Sequence, residues 1–236
     1  MLSVIKRNKS VFAFSLFLGI YQDKMFSPKS ILLSLIGGVD IIKAGNSLPY
    51  IEIVEWLFIM SFFIMQALVK LKEKNHMYTY EVTRCRSYRV WCRKFYKSVL
   101  EYVLRNATIC ILVWYLLDRV VKNEENFPII AVILFVSHVL CCVAIICLFD
   151  CVTVRNEYIY LPIIIEGGTL LLAGKCEILQ VWFWGTWGMY KRSEYMNQFI
   201  GFPVHMVILI EWLIIVASCF VSSRGMRRKN ELVYCD

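Results

Sequence analysis

The stretch FPIIAVILFVSHVLCCVAIICLF, Phe127 to Phe149, carries no formally charged side chain. A helix needs about 20 mostly apolar residues to cross the roughly 30 Å hydrocarbon core of a bilayer. This run meets that length unaided, so it reads as a membrane-spanning helix. The composition agrees: 59% of the 236 residues are hydrophobic and the mean hydropathy is +0.60, more apolar and less charged than a soluble domain of this size.

Working outward, residues 200–221 form a second span with Glu211 as its one acid. Residues 51–69 carry Glu52 and Glu55 near one end, and residues 99–121 keep their charges near both ends. Residues 158–174 are shorter and include Glu166, and residues 10–27 meet Asp23 and Lys24 early. The expectation is one all-α integral membrane domain over 1–236, a bundle of six transmembrane helices. The start, with Lys6, Arg7 and Lys9 before Val11–Leu18, imitates a secretory signal but lacks a small-residue cleavage site, so an uncleaved first span is expected.

Lys and Arg set the orientation. With both termini in the cytoplasm, 17 of the 26 basic residues fall inside and 8 outside, with Arg105 in the third span. The net charge of +8 is split among short connecting segments, which argues against nucleic-acid binding. Most of the ten Cys lie in apolar runs or on the reducing side, so neither a disulfide framework nor a zinc site is expected.

Two connecting segments draw attention. KLKEKNHMYTYEVTRCRSYRVWCRKFYK, Lys70 to Lys97, mixes aromatic and basic residues, and Tyr88, Trp91, Phe95 and Val99 recur at helical spacing. The plain reading is a helix lying on anionic lipid; the functional one is a docking helix whose tip, Tyr78 to Tyr88, meets a cytoplasmic partner. WFWGTWGMYKRS, Trp182 to Ser193, falls on the outer side. Trp182, Trp184, Trp187 and Tyr190 suit an aromatic collar at the headgroups.

These segments resemble those of ABC type 2 exporter permeases, in particular small Gram-positive ones. Arg84, Arg86, Ser87, Arg89, Trp91 and Lys94 look like the aromatic-basic run that leads into the third span. Trp187, Met189, Arg192 and Ser193 fall on the P-G-N-W-x-M-x-x-R-S element before the last helix, while Phe183-Trp184-Gly185-Thr186 departs from its Pro-Gly-Asn. The resemblance implies an interfacial N-terminal elbow and an external re-entrant hairpin carrying Trp184, Trp187, Met189 and Arg192. Gly185 and Gly188 would suit a tight turn there, and Arg192 would satisfy carbonyls or lipid phosphate. It also implies a coupling helix with Tyr78, Tyr80, Glu81, Arg84, Arg86 and Tyr88 at the ATPase contact. The implied partners are a nucleotide-binding ATPase subunit holding ATP and Mg, a second permease subunit, and a hydrophobic, peptide or lipid-like cargo such as an antimicrobial peptide. The implied location is the bacterial plasma membrane.

Intramembrane acids are costly and by default mark function or a polar contact between helices. Glu52 and Glu55 reach the outer headgroups on the plain reading, whereas Glu166 and Glu211 are the intramembrane polar candidates. Glu211 is too central to escape to the interface, so it is expected to face a helix or a cavity. His138 is expected to be packed, hydrogen-bonded and neutral. Catalysis has no support: no phosphate-binding G-x-x-x-x-G-K-[ST] loop, no H-E-x-x-H and no legible Ser-His-Asp set occur. Two other readings stand beside the exporter: a stand-alone membrane immunity or accessory protein, and a proton-coupled carrier using Glu166 and Glu211.

Overall fold

The computed structural model describes residues 8–26, 28–41, 49–81, 88–124, 126–152, 161, 164–165, 167–168 and 177–233, and within helices it leaves the side chains of 74–81, 88–89, 152, 177–179 and 223–233 undescribed. Seven α-helices are named here in chain order: α1 Lys9–Phe26, α2 Ile31–Gly37, α3 Tyr50–Glu81, α4 Tyr88–Leu117, α5 Ile129–Val152, α6 Glu177–Trp182 and α7 Val204–Val233. Among the described residues there is no β-strand, only an isolated bridge between Ser193 and Phe202. Four helical stretches are long and apolar enough to cross a membrane: Tyr50–Glu73, Val90–Lys122, Ile129–Cys151 and Val204–Ser222. This is the build of a membrane protein. The segment expected to span at 158–174 lies almost wholly outside the described residues.

Prolines and caps punctuate the chain. α1 stops just short of Pro28, and Pro128 and Pro203 stand immediately before α5 and α7, where a missing N–H costs nothing. α4 closes through a π-type turn, Asp118–Lys122, which ends on Asn123 in the left-handed region at φ 52°.

Cross-helix contacts give the relative directions. Ser15 in α1 accepts a hydrogen bond at its carbonyl from the Trp114 indole of α4 at 2.9 Å, and Asp23 at the far end of α1 pairs with Lys122. α1 and α4 therefore run parallel. α3 runs against both, since Phe14 stacks on Phe62 while Gln22, further along α1, shares a cavity with Glu52 and Glu55. α5 and α7 share the most extensive helix contact of the fold and also run in one direction. Leu134 clusters with Val204 and Val207, His138 meets Glu211, and Cys141 and Ala144 cluster with Ile215. One end of the bundle thus holds Phe26, Tyr50, Lys122, Ile129 and Val204. The other holds Asn8, Lys70, Arg93, Asp150 and Ser222. They are called below the upper and lower ends.

Two expectations need correction. No separate interfacial helix covers Tyr88–Val99: these residues are the first three turns of α4, continuous with its span. Trp91, Phe95, Val99, Val103, Ala107, Cys110 and Trp114 form one buried stripe, so the periodicity belongs to bundle packing and not to a lipid-bound helix. The sequence reading also missed α2. Ser30 caps it by accepting from the Leu33 N–H at 3.1 Å, and Gly38 ends it. All seven residues but Leu33 and Ser34 are buried, wedged among α1, α3, α4 and α5. Asp118, at the head of the π-type turn that closes α4, holds the start of this wedge, accepting from the Ile31 and Leu32 N–H groups and from the Ser30 hydroxyl.

Candidate functional site

The upper end is closed by residues 177–203. α6 leads into two single 3-10 turns, Trp184–Thr186 and Tyr190–Arg192, and the chain then doubles back so that the Phe202 N–H donates to the Arg192 carbonyl at 3.2 Å and the Glu194 N–H to the Phe202 carbonyl at 3.0 Å. Glu194 Oε1 then accepts from the Val204 N–H at 3.2 Å, at the first turn of α7, where a carboxylate also favours the helix dipole.

Arg192 anchors this unit. Its guanidinium is fully buried and donates from Nε to the Val39 carbonyl at 2.9 Å, from Nη1 to Gln180 at 3.2 Å and from Nη2 to Asp40 at 3.4 Å. It satisfies carbonyls and not lipid phosphate, fastening the segment after α2 and the end of α6 to the turn. Burial draws its pKa down to about 10, with Asp40 opposing, so it stays protonated at neutral pH. Met189 is buried against Gly38, which adopts φ 74° and ψ −152°, a conformation open almost only to glycine.

Trp184 packs its ring against His138, centroids 5.4 Å apart. Gly188 approaches the same imidazole so closely that a Cβ there would lie 2.7 Å from the ring. Gly185 and Gly188 do sit in tight turns, closed by the Thr186 N–H on the Phe183 carbonyl and the Met189 N–H on the Thr186 carbonyl, but neither takes a positive φ, so close approach is the reason for glycine at 188. The collar reading also contracts: Trp182 faces outward, whereas Trp184 and Trp187 are half-buried and packed inward.

Below the hairpin, His138 Nδ1 lies 2.7 Å from Glu211 Oε1, both side chains fully buried at the α5–α7 contact. Glu211 thus faces a helix and its histidine. On the α1–α3 side, Glu52 and Glu55, both half-buried, line a cavity with Gln22, Ser34 and Lys191. At the lower end, Tyr96 donates to Asp150 at 2.8 Å and accepts from the Cys151 thiol. In the lower half of the bundle Gln66 accepts from Tyr102 and Asn106.

Of the expected partner-contact residues, Tyr78, Tyr80 and Glu81 lie in the last turns of α3 and Tyr88 opens α4, with their side chains undescribed; Arg84 and Arg86, like the intramembrane candidate Glu166, lie outside the described residues. The chain matched no known protein family, no curated protein and no solved structure.

Proposed function

We propose that this chain is the membrane-spanning permease subunit of an ABC exporter, moving a hydrophobic or amphipathic peptide with energy from a separate ATPase subunit. The observation that carries the reading is the parallel course of α5 and α7. Val152 ends at the lower face, whereas Val181 clusters with Leu134 near the upper one. Those two levels are about 27 Å apart at 1.5 Å per helical residue. On this reading the span expected at 158–174 carries the chain back between those two levels. With α1, which lies alongside α4, that return makes six crossings. Six crossings, a short re-entrant hairpin before the last helix and an N-terminal elbow form the plan of the permeases that the sequence resembles.

The charge bias supports a cytoplasmic lower end and termini, in the plasma membrane of a bacterium. α3 continues to Glu81, ten residues beyond Leu71 at the end of its apolar run, and α4 begins at Tyr88 on the same side. The tip Tyr78–Tyr88, between these two helices, is on this reading the contact for the ATPase, on which ATP and Mg reside. A second permease subunit, identical or homologous, completes the transporter. This chain is its non-catalytic part.

Purification from native membranes in mild detergent tests the reading. A nucleotide-binding subunit co-elutes with the parent chain and is lost with Tyr80→Ala, Arg84→Ala and Tyr88→Ala combined. A monodisperse chain without an ATPase, protecting cells from a peptide when expressed alone, would instead make it a stand-alone immunity protein.

A further inference from the structure

We infer that the upper end carries a binding site for a primary ammonium group on an amphipathic peptide, built from Gln22, Glu52 and Glu55 and continued by an apolar groove between α1 and α3. Three buried oxygens at this site, Gln22 Oε1, Glu52 Oε2 and Glu55 Oε1, have no hydrogen-bond donor among the described residues. All three residues line one cavity of about 150 Å³. Gln22 is only 3% exposed and spends its Nε2 on the Ser34 hydroxyl at 2.6 Å. Buried acceptors without donors are costly, and an ammonium offers three donors and a matching charge.

The size and the charge select the ligand. The cavity is smaller than an ordinary small-molecule pocket of about 300–1,000 Å³, so it takes the end of a side chain and not a whole molecule. Glu55 also lines a second, apolar recess of about 380 Å³ formed with Phe17, Tyr21, Tyr50 and Phe58. A ligand seated in both is cationic at one point and apolar beside it, as a lysine flanked by aliphatic residues is. A zwitterionic lipid headgroup fits less well. Lys191 is the cation at the cavity and is already shared, 3.7 Å from Asp40 and 4.0 Å from Glu52. A phosphate would face two carboxylates with one engaged ammonium. Lys191, from the hairpin, is therefore a tethered competitor for the same carboxylates.

This deepens the exporter reading by naming its cargo chemistry, and it is testable without the motor. The full chain is reconstituted in phosphatidylcholine nanodiscs and titrated with a fluorescent amphipathic leucine–lysine peptide, with empty nanodiscs as background. The expected result is saturable binding that Nε-acetylation of the peptide's lysines abolishes. Glu52→Gln with Glu55→Gln weakens it at least about tenfold, on the scale of one charged hydrogen bond. Lys191→Met strengthens binding a few fold, a gain that a merely misfolded variant does not produce. Equal binding of the acetylated peptide, indifference to the Glu pair, or loss of peptide binding when phosphatidylethanolamine is added overturns the proposal, the last in favour of a lipid site. Failure here leaves co-purification with an ATPase untouched, and the reverse also holds.

Discussion

Arg192→Met removes the donors that fasten the hairpin while keeping an unbranched apolar stem. The carbonyls of Val39 and Gln180, reached at 2.9 and 3.2 Å, lose their buried donor. The Asp40 contact at 3.4 Å is weaker and adds little. Leaving a buried carbonyl unsatisfied costs about 1–3 kcal/mol each. Part of that is offset, because a buried cation no longer has to be desolvated. The net loss comes to about 2–4 kcal/mol. For a chain of this length that lowers the melting temperature by roughly 5–15 °C. Arg192→Lys keeps the charge but not the three-way reach, so it falls between parent and Met variant. Thermal unfolding in detergent reads this directly, since Trp182, Trp184 and Trp187 all sit in the unit that Arg192 ties down. If Arg192→Met melts within about 1 °C of the parent, the guanidinium does not hold the hairpin and the reasoning fails.

Glu211→Ala removes the buried hydrogen bond to His138 and costs about 1–3 kcal/mol, whereas His138→Phe with Glu211→Leu restores much of the loss; a double-mutant cycle with coupling below about 0.5 kcal/mol would refute the pairing. Gly38→Ala forces a Cβ into a glycine-only conformation and against Met189, costing about 1–3 kcal/mol from the backbone alone; a melting curve superimposable on the parent's would contradict the local geometry. Phe199, 100% exposed in the hairpin, offers a topology probe. Phe199→Cys in intact cells reacts with a membrane-impermeant maleimide from the external medium, and reaction only after permeabilisation would invert the proposed orientation.

Much of this architecture was legible because burial in lipid demands long apolar helices. α5 is uncharged over its apolar run, and α7 carries only Glu211 within its span. Partners were not legible. Nothing in the spacing around Glu211 says that His138, 73 residues earlier, faces it, because either side of a helix is open to an acid until the packing is known. Arg192 and its neighbour Lys191 look alike as letters, yet one is fully buried and the other lies at a cavity. The carbonyls that receive Arg192 belong to the main chain, which every residue supplies. α2 did leave a trace in Ser30 and the Gly37–Gly38 pair, a start and a stop around a short apolar run. It was passed over because seven residues are too few to cross a bilayer. The buried start of α4 was misjudged for the opposite reason: its stripe begins among Arg and Lys and looks like a surface helix.

The carboxylate that seats α2 has a consequence for how the chain is made. Ile31 precedes Asp118 by 87 residues. At about 5–20 residues per second, a ribosome needs roughly 4–17 s to deliver one after the other. Throughout that interval the amides at the head of the wedge lack their acceptor and have to stay wet. The short helix α2 therefore waits at the water boundary while α4 is synthesised, and it sinks into place only when Asp118 arrives.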